Sequence, residues 1–520
     1  MKMKATAGVF AFAVGVSGIS GAAHAQSSDQ ELKQKVDLLQ EQLETLRAQL
    51  DKVLKQQSVS PPPAAATPVV AASHEFIERK PGGGLTFLTR GGEVSIYGNL
   101  DISADDTSKG ISDKTAGSAP TTPSGRTGWM PAISTNLSYL GVRGFQSLGN
   151  FPAKFVYQLE TQLDISATSG TNGSNSNTSN VVKGALTSRN SFIGLSSSQF
   201  GSFKIGKTDA PYKTSTASMN PFSGMLGDYA VIMGNSGGDN RVEFGTRFDH
   251  AAWYESPNLG GFHLNVFVAP GQNRATDNSN LGAGEADCAG GNIPGSGGTP
   301  AACNDGAFGT AYSVSAAYHT GGLLLIGAYE LHKSVNRTSD LATWDAGDIA
   351  DETAAKIGAQ YHFPTGTTVS AIYENLKRKV PAYLDYQNER SRSGYWAAVS
   401  QALGSSDSVH FGWAHAGKTP GDPGVHNTAG GANPDNSANM FTLAWKHQVD
   451  KQFAFYADYA TTINHADAHY DLGAGGRAVT TDCHDAGNPD ATGFDPNGGG
   501  AHCWAGGRLS GVSVGMKYTF

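Results

Sequence analysis

The sequence predicts an all-β fold, a transmembrane antiparallel β-barrel of about sixteen strands, preceded by a short α-helical coiled coil. Three observations carry that prediction. Of the 520 residues only 39% are hydrophobic and 67 are glycine, and beyond the N-terminus no run of about 18 apolar residues could cross a bilayer as a helix. From Glu93 onward, stretches of roughly ten residues alternate apolar with polar, the length a tilted strand needs to span. The connections between those stretches alternate short with long, so short turns collect on one rim and long loops on the other.

Residues 1–25 read as a cleaved secretory signal. Lys2 and Lys4 begin it, Ala5 to Ile19 form an apolar run, and Ala23-His24-Ala25 supply a small-residue site before Gln26,. Removing the two lysines takes the formal charge from -8 to -10, an acidic balance that argues against a nucleic-acid partner.

Residues 26–57 read as a periplasmic coiled coil. Leu32, Val36, Leu39, Leu43, Leu46, Leu50 and Val53 recur at spacings of four and three. Such a narrow apolar seam must pack on another helix. Its mixture of Val and Leu leaves the number of strands in the coil open, and the partner, another copy or a cell-wall or periplasmic component, is open too. Residues 58–92, with Pro61-Pro62-Pro63 and Gly82-Gly83-Gly84, form a linker, stiff at one end and loose at the other.

The barrel is expected over 93–520. In its first strand Val94, Ile96, Gly98, Leu100 and Ile102 share one face and Ser95, Tyr97, Asn99 and Asp101 the other. Phe155, Tyr157, Leu159, Leu163 and Ile165 likewise oppose Lys154, Gln158, Glu160, Gln162 and Asp164,. Tight links at 147–152, 256–261, 363–367 and 449–452 alternate with polar segments at 105–131, 271–306, 417–436 and 465–507. Tyr139, Tyr157, Tyr254, Tyr318, Tyr361, Tyr373, Trp413, Trp445, Tyr459 and Tyr518 stand near strand ends, where amphipathic rings settle at a membrane interface.

Cys288, Cys303, Cys483 and Cys503 form two sequence-local pairs. In an oxidising compartment two loop-closing disulfides lead the three possible connectivities. Cys483-His484 with His502-Cys503 is the metal-binding alternative, at a spacing that matches no known finger. Asp485, Asp490 and Asp495 form no hand-type calcium series. No metal or cofactor is expected.

Several segments resemble the general diffusion porins of Gram-negative outer membranes. They are Ser188 to Leu195 followed by Phe200 to Lys207, Tyr97-Gly98, Leu140 to Gly144, Tyr254-Glu255-Ser256-Pro257 with Gly260-Gly261-Phe262, and the terminal Tyr518-Thr519-Phe520. The likeness covers about residues 93–520. It implies a homotrimer embedded in outer-membrane lipid and lipopolysaccharide, with an inward-folded constriction loop at about 208–240. In that loop Asp228 and then Asp239 are the acidic candidates. Arg189, Arg241, Arg247 and Arg143 are the basic ones, Arg189 by direct match, Arg241 and Arg247 by spacing to the family's sixth-strand arginines, and Arg143 by the inward parity of the second strand. Tyr139 stands where the family places an arginine, and Asn99 where a lysine occurs, so the basic side is thinner here.

The resemblance implies passive diffusion of small hydrophilic solutes and ions, not an enzyme: His250, His263, His410 and His415 show neither a serine elbow nor metal spacing,. The alternative is a substrate-selective outer-membrane channel for a sugar, phosphate or small organic acid, one that also tethers the envelope through its coil.

Overall fold

A computed structural model describes residues 77–79, 85–108, 129–163, 165–166, 189–234, 244–270, 305–337, 349–382, 391–420, 435–465, 468, 470–473 and 508–520. The chain divides into a unit Met1–Ser73 and a unit His74–Phe520, and all described residues belong to the second. The signal, the coiled-coil seam, the four cysteines, Asp239 and Arg241 lie outside the described residues. Among those described, no helix is long and apolar enough to cross a membrane.

Sixteen antiparallel strands close into a barrel. They are β1 (Gly92–Ser108), β2 in two pieces (Trp129–Thr135 and Tyr139–Ser147), β3 (Lys154–Gln162), β4 (Ser191–Ser197), β5 (Gly201–Asp209), β6 (Arg247–Glu255), β7 (Phe262–Pro270), β8 (Thr310–Thr320), β9 (Leu323–Arg337), β10 (Ile349–His362), β11 (Thr367–Arg378), β12 (Arg392–Leu403), β13 (Asp407–Ala416), β14 (Ala438–Gln448), β15 (Phe453–Asn464) and β16 (Arg508–Thr519). β16 pairs with β1 from Ser510↔Ser108 to Thr519↔Asn99. Phe520 finishes the seam: its backbone exchanges hydrogen bonds of 2.9 and 3.1 Å with Gly98. A β-carbon on Gly98 would stand 2.7 Å from the Phe520 ring, so only glycine lets the last residue dock. Closure pairs every strand edge, which a bilayer core demands.

On one rim the connections are 148–153, 198–200, 256–261, 321–322, 363–366, 404–406 and 449–452; on the other they are 109–128, 163–190, 210–246, 271–309, 338–348, 379–391, 417–437 and 465–507. The segregation expected from sequence holds throughout. Beside β1, a hairpin of Ile77–Arg79 and Leu85–Thr89 pairs with the short-turn end of that strand.

Alternation sorts side chains as the sequence requires. Tyr361, Val369, Val399, Phe411, Leu443, Tyr459 and Val512 are linked residue to residue across β10–β16, and every one is exposed. A continuous apolar row of that extent is intolerable in water and expected against lipid.

Three expectations are corrected. β1 continues to Ser108 and β2 begins at Trp129, where a loop over 105–131 was expected. β2 is broken by a bulge: from Thr135 to Tyr139 it advances four residues while β1 advances three, from Ile102 to Asn99, with Leu137 at φ 50°. The extra residue reverses the alternation. Beyond it Tyr139, opposite Asn99 and of one parity with Arg143, faces the lumen, as its family arginine position implies, and not the membrane interface. Finally, the expected loop 208–240 is 210–246, because Phe244 remains inside, packed on Tyr212 and stacked on His332. The sixth strand starts at Arg247, not Arg241.

Candidate pore constriction

The long loop 210–246 folds into the barrel over its described residues 210–234 and 244–246. It opens with a short helix, α1 (Pro211–Thr214), and its buried residues Met219, Phe222, Met225, Tyr229, Val231, Ile232 and Met233 pack on Ile326, Ile372, Trp396, Ala398, Ala414, Ala416, Ala438, Met440 and Ala444 of the wall. The wall makes room with small residues. Phe222 lies on Gly412, where a β-carbon would stand 2.5 Å from its ring. Dispersion and apolar burial thus hold the loop against one side of the lumen.

Polar anchors fix its course. Tyr212 N donates to Ser313 Oγ on β8 at 3.0 Å, Gly245 N to Glu330 Oε1 on β9 at 3.2 Å, and Lys356 Nζ on β10 to Thr216 Oγ1 at 2.8 Å. Glu374 on β11 accepts from the Tyr212 hydroxyl at 2.5 Å and from Gly234 N at 2.9 Å, gathering both ends of the loop. Arg392 on β12 donates to the Ile232 carbonyl and Lys446 on β14 to the Pro221 carbonyl. Thr442 on β14 donates to Gly227 O at 2.9 Å. These anchors lie on β8–β14.

A charged and aromatic cluster lies on β1–β4. Arg189, just before β4, binds Glu160 Oε1 on β3 through Nε at 2.6 Å and sits 4.8 Å from the centre of the Tyr139 ring. The Tyr97 hydroxyl donates to Glu160 Oε2 at 3.0 Å, and Arg143 lies 4.4 Å over the Tyr97 ring. Tyr97 and Tyr139 meet edge to face at 6.1 Å. Each guanidinium thus keeps a cation–π contact, and Glu160 is clamped between a phenol and an arginine. Gly141 makes the cluster possible, since a β-carbon there would collide with the Tyr97 ring.

Arg189 and Arg143 both lie in this cluster. Arg247, the first residue of β6, is displaced towards the loop: it pairs with Asp209 at 3.0 Å and donates to Asn190 Oδ1 at 2.7 Å. Lys213 shares the same Asp209 at 2.8 Å. Asp228, expected to face the arginines, does something else. Its buried carboxylate accepts from Asn220 Nδ2 at 2.8 Å, Gly224 N at 3.1 Å and Ala230 N at 3.1 Å, so it shapes the loop from within. Among the described loop residues the exposed ones are Lys213, Thr214, Ala217, Ser218 and Ser223, with no carboxylate.

Glu160 and Glu374 were missed as site residues. Glu160 was visible as one of a polar row, but its pairing with Arg189 depends on which strands neighbour. Glu374 lies in β11, far in sequence from the loop it holds, and nothing local marks it.

A closed barrel with lipid outside, charged side chains within and a loop folded into its lumen defines a membrane channel. A sequence model of the Gram-negative porin family matches residues 59–467, and the chain belongs to that family. No curated protein sequence matches it. Among solved structures it is similar to the anion-selective porin from Comamonas acidovorans, at 18% identity and a TM-score of 0.53, covering 82% of this chain and 100% of that one. It is also similar to Salmonella typhi OmpF in complex with daunomycin, at 15% identity and a TM-score of 0.47, covering 84% and 100%. A third is the outer-membrane channel DcaP of Acinetobacter baumannii, at 12% identity and a TM-score of 0.45, again covering 84% and 100%. The chain is an outer-membrane pore for passive diffusion.

Proposed function

We propose that the narrow part of this pore is a net basic passage, with Arg143 and Arg189 on one side and the anchored loop on the other, and that it favours small hydrophilic anions over cations. The observation that carries the reading is the pair of guanidiniums held over lumen-facing tyrosines. Arg189 is partly neutralised by Glu160, whereas Arg143 keeps its charge beside a ring. Arg247 is compensated by Asp209 and contributes less, and Asp228 supports the loop in place of facing the arginines. In a narrow passage with low-dielectric walls, fixed charge concentrates counter-ions.

Arg189→Ala tests it. Reversal potentials in planar bilayers under a salt gradient should move towards cations, because Glu160 then lacks its guanidinium. Unchanged potentials would remove Arg189 from the role.

The wider reading has three further parts. The barrel assembles as a homotrimer, checked by the mass of the detergent complex. The seam Leu32 to Val53 forms a coiled coil on the periplasmic side, checked by helicity and self-association of residues 26–57. The cysteines form two disulfides, checked by counting alkylatable thiols in unreduced protein.

A further inference from the structure

The short-turn mouth of the barrel carries a group of side chains unrelated to the constriction. Register places them. On β8, Ser313 touches the in-folded loop and faces the lumen; alternation puts Ser315, Ala317 and His319 on that face. His263 on β7 pairs with Ala317 and points the same way. Gly358 on β10 lies against Met219 of the loop, which turns Gln360 and His362 inward. The same parity brings Lys154 in from β3, below Glu160, and Lys517 in from β16, opposite Asp101. All five, His263, His319, His362, Lys154 and Lys517, are exposed.

Part of the lysine charge is offset: Lys517 faces Asp101, whose carboxylate also accepts from the Tyr456 hydroxyl at 2.8 Å, and Lys154 lies 4.0 Å over the Phe145 ring, while little near the histidines cancels theirs. Of the carboxylates facing the lumen at this rim, Glu255 on β6 is held by Lys204 Nζ at 2.7 and 2.8 Å and by Trp253 Nε1 at 2.8 Å. Glu93 on β1 stands across β2 from Lys154. The lumen-facing neighbours of the three histidines are Asn265 and Glu255 towards β6, Leu324 on β9, and Thr368 on β11, whose hydroxyl meets His362 Nδ1 at 2.9 Å. Glu255, already paired, is the one charged residue among these named neighbours. Asp407 and His447 pair on the outer face at 3.0 Å, and Asp450 and Lys451 belong to a turn.

We infer that this mouth is a second charge filter, in which His263, His319 and His362 add positive charge to that of Lys154 and Lys517 as the solution is acidified and raise the preference for small anions. Imidazole is the side chain that changes charge in the mildly acidic range. Placed around a water-filled opening in a low-dielectric wall, each added charge acts on ions passing within about a Debye length. Nothing needs to move. The filter rests on the reading of the chain as a diffusion pore, and it deepens that reading by adding a pH-dependent selectivity at a site remote from the arginines.

The test is the chloride-to-potassium permeability ratio of the full chain in planar bilayers at pH 7.5 and pH 5.5, for wild type and for His263→Gln/His319→Gln/His362→Gln. Three screened charges at pore-radius distances should raise the wild-type ratio about twofold on acidification, and the triple variant should stay flat while conducting normally. A rise of equal size in the triple variant would assign the effect to lumen carboxylates and overturn the inference, as would a wild-type ratio that does not change. Absence of any conductance would instead strike at the pore reading itself, so the two failures are separate. Lys154→Gln/Lys517→Gln gives an independent check. It should lower the ratio at both pH values while keeping the acid-induced rise.

Discussion

Glu374→Ala should release the in-folded loop without opening the barrel. Glu374 is almost wholly buried; it accepts from the Tyr212 hydroxyl and from Gly234 N, and stands 3.6 Å from Arg392 Nη1. Truncation leaves a buried phenol and a buried amide unsatisfied, each costing about 1–3 kcal/mol. It also leaves Arg392 without its carboxylate, and breaking a buried ion pair costs about 3–5 kcal/mol. These terms share one site and water can enter behind the loop, so they do not add. A loss of about 3–5 kcal/mol in docking is expected, a hundredfold to several-thousandfold shift towards the undocked loop. The backbone ladders of β10–β12 do not use this side chain, so heat stability of the barrel should change little. The assays are limited proteolysis in detergent, which should cut within 210–246, and single-channel recording, which should show larger open-state noise. Glu374→Gln keeps one acceptor and should fall between the two. If Glu374→Ala resists proteolysis and conducts as quietly as wild type, the apolar contacts alone hold the loop and the anchoring argument is wrong.

Gly227→Ala should displace the same loop by another route: φ is +69° and the new methyl would press on Thr442 and on the Ala460 methyl at 2.7 Å, costing about 1–2 kcal/mol in backbone strain before any clash. Increased protease cutting at the loop is the readout, and wild-type resistance would refute it. Tyr97→Phe removes one of the two polar contacts of Glu160 and should cost about 1.5–3 kcal/mol, seen as a lower unfolding temperature in detergent, while Arg189 remains and selectivity shifts little. Asp450 in the turn 449–452 accepts from Gln452 N at 2.7 Å and Phe453 N at 2.8 Å, and these bonds hold its carboxyl below the usual carboxylate range. Its contribution is therefore present above the unfolded carboxylate pKa, roughly 4, and lost as pH falls through the lower folded value. Amide exchange at Gln452 and Phe453 should be faster in Asp450→Ala than in wild type at neutral pH, with the two converging in strong acid; a difference that persists there would refute the assignment.

The barrel was legible in the sequence because its driving pattern is local. Alternation of Tyr97 and Asn99 with Ile96 and Gly98, or of Glu160 with Leu159, states which side of each strand meets water. Turn and loop lengths state which rim is which. Phe520 was legible by resemblance, within Tyr518-Thr519-Phe520. Of the basic candidates, Arg189 was legible by resemblance and Arg143 by the inward parity of its strand, and both lie in the lumen cluster.

What the tertiary structure decided concerns pairs distant in sequence and single-residue offsets. The bulge at Asn136-Leu137-Ser138 adds one residue to β2 and reverses the faces of Trp129–Thr135 relative to Tyr139–Ser147, a reversal that appears only when β1 is laid beside it. Asp228 is an acidic loop residue by sequence, but three donors from its own loop claim it. The loop's place against β8–β14 was set by Ala and Gly on the wall and by Glu374, Lys356 and Arg392, whose roles depend on a loop more than a hundred residues away. A period of two along one strand fixes faces. It carries no information about what will be packed against them, because that depends on contacts the chain makes only after closing on itself.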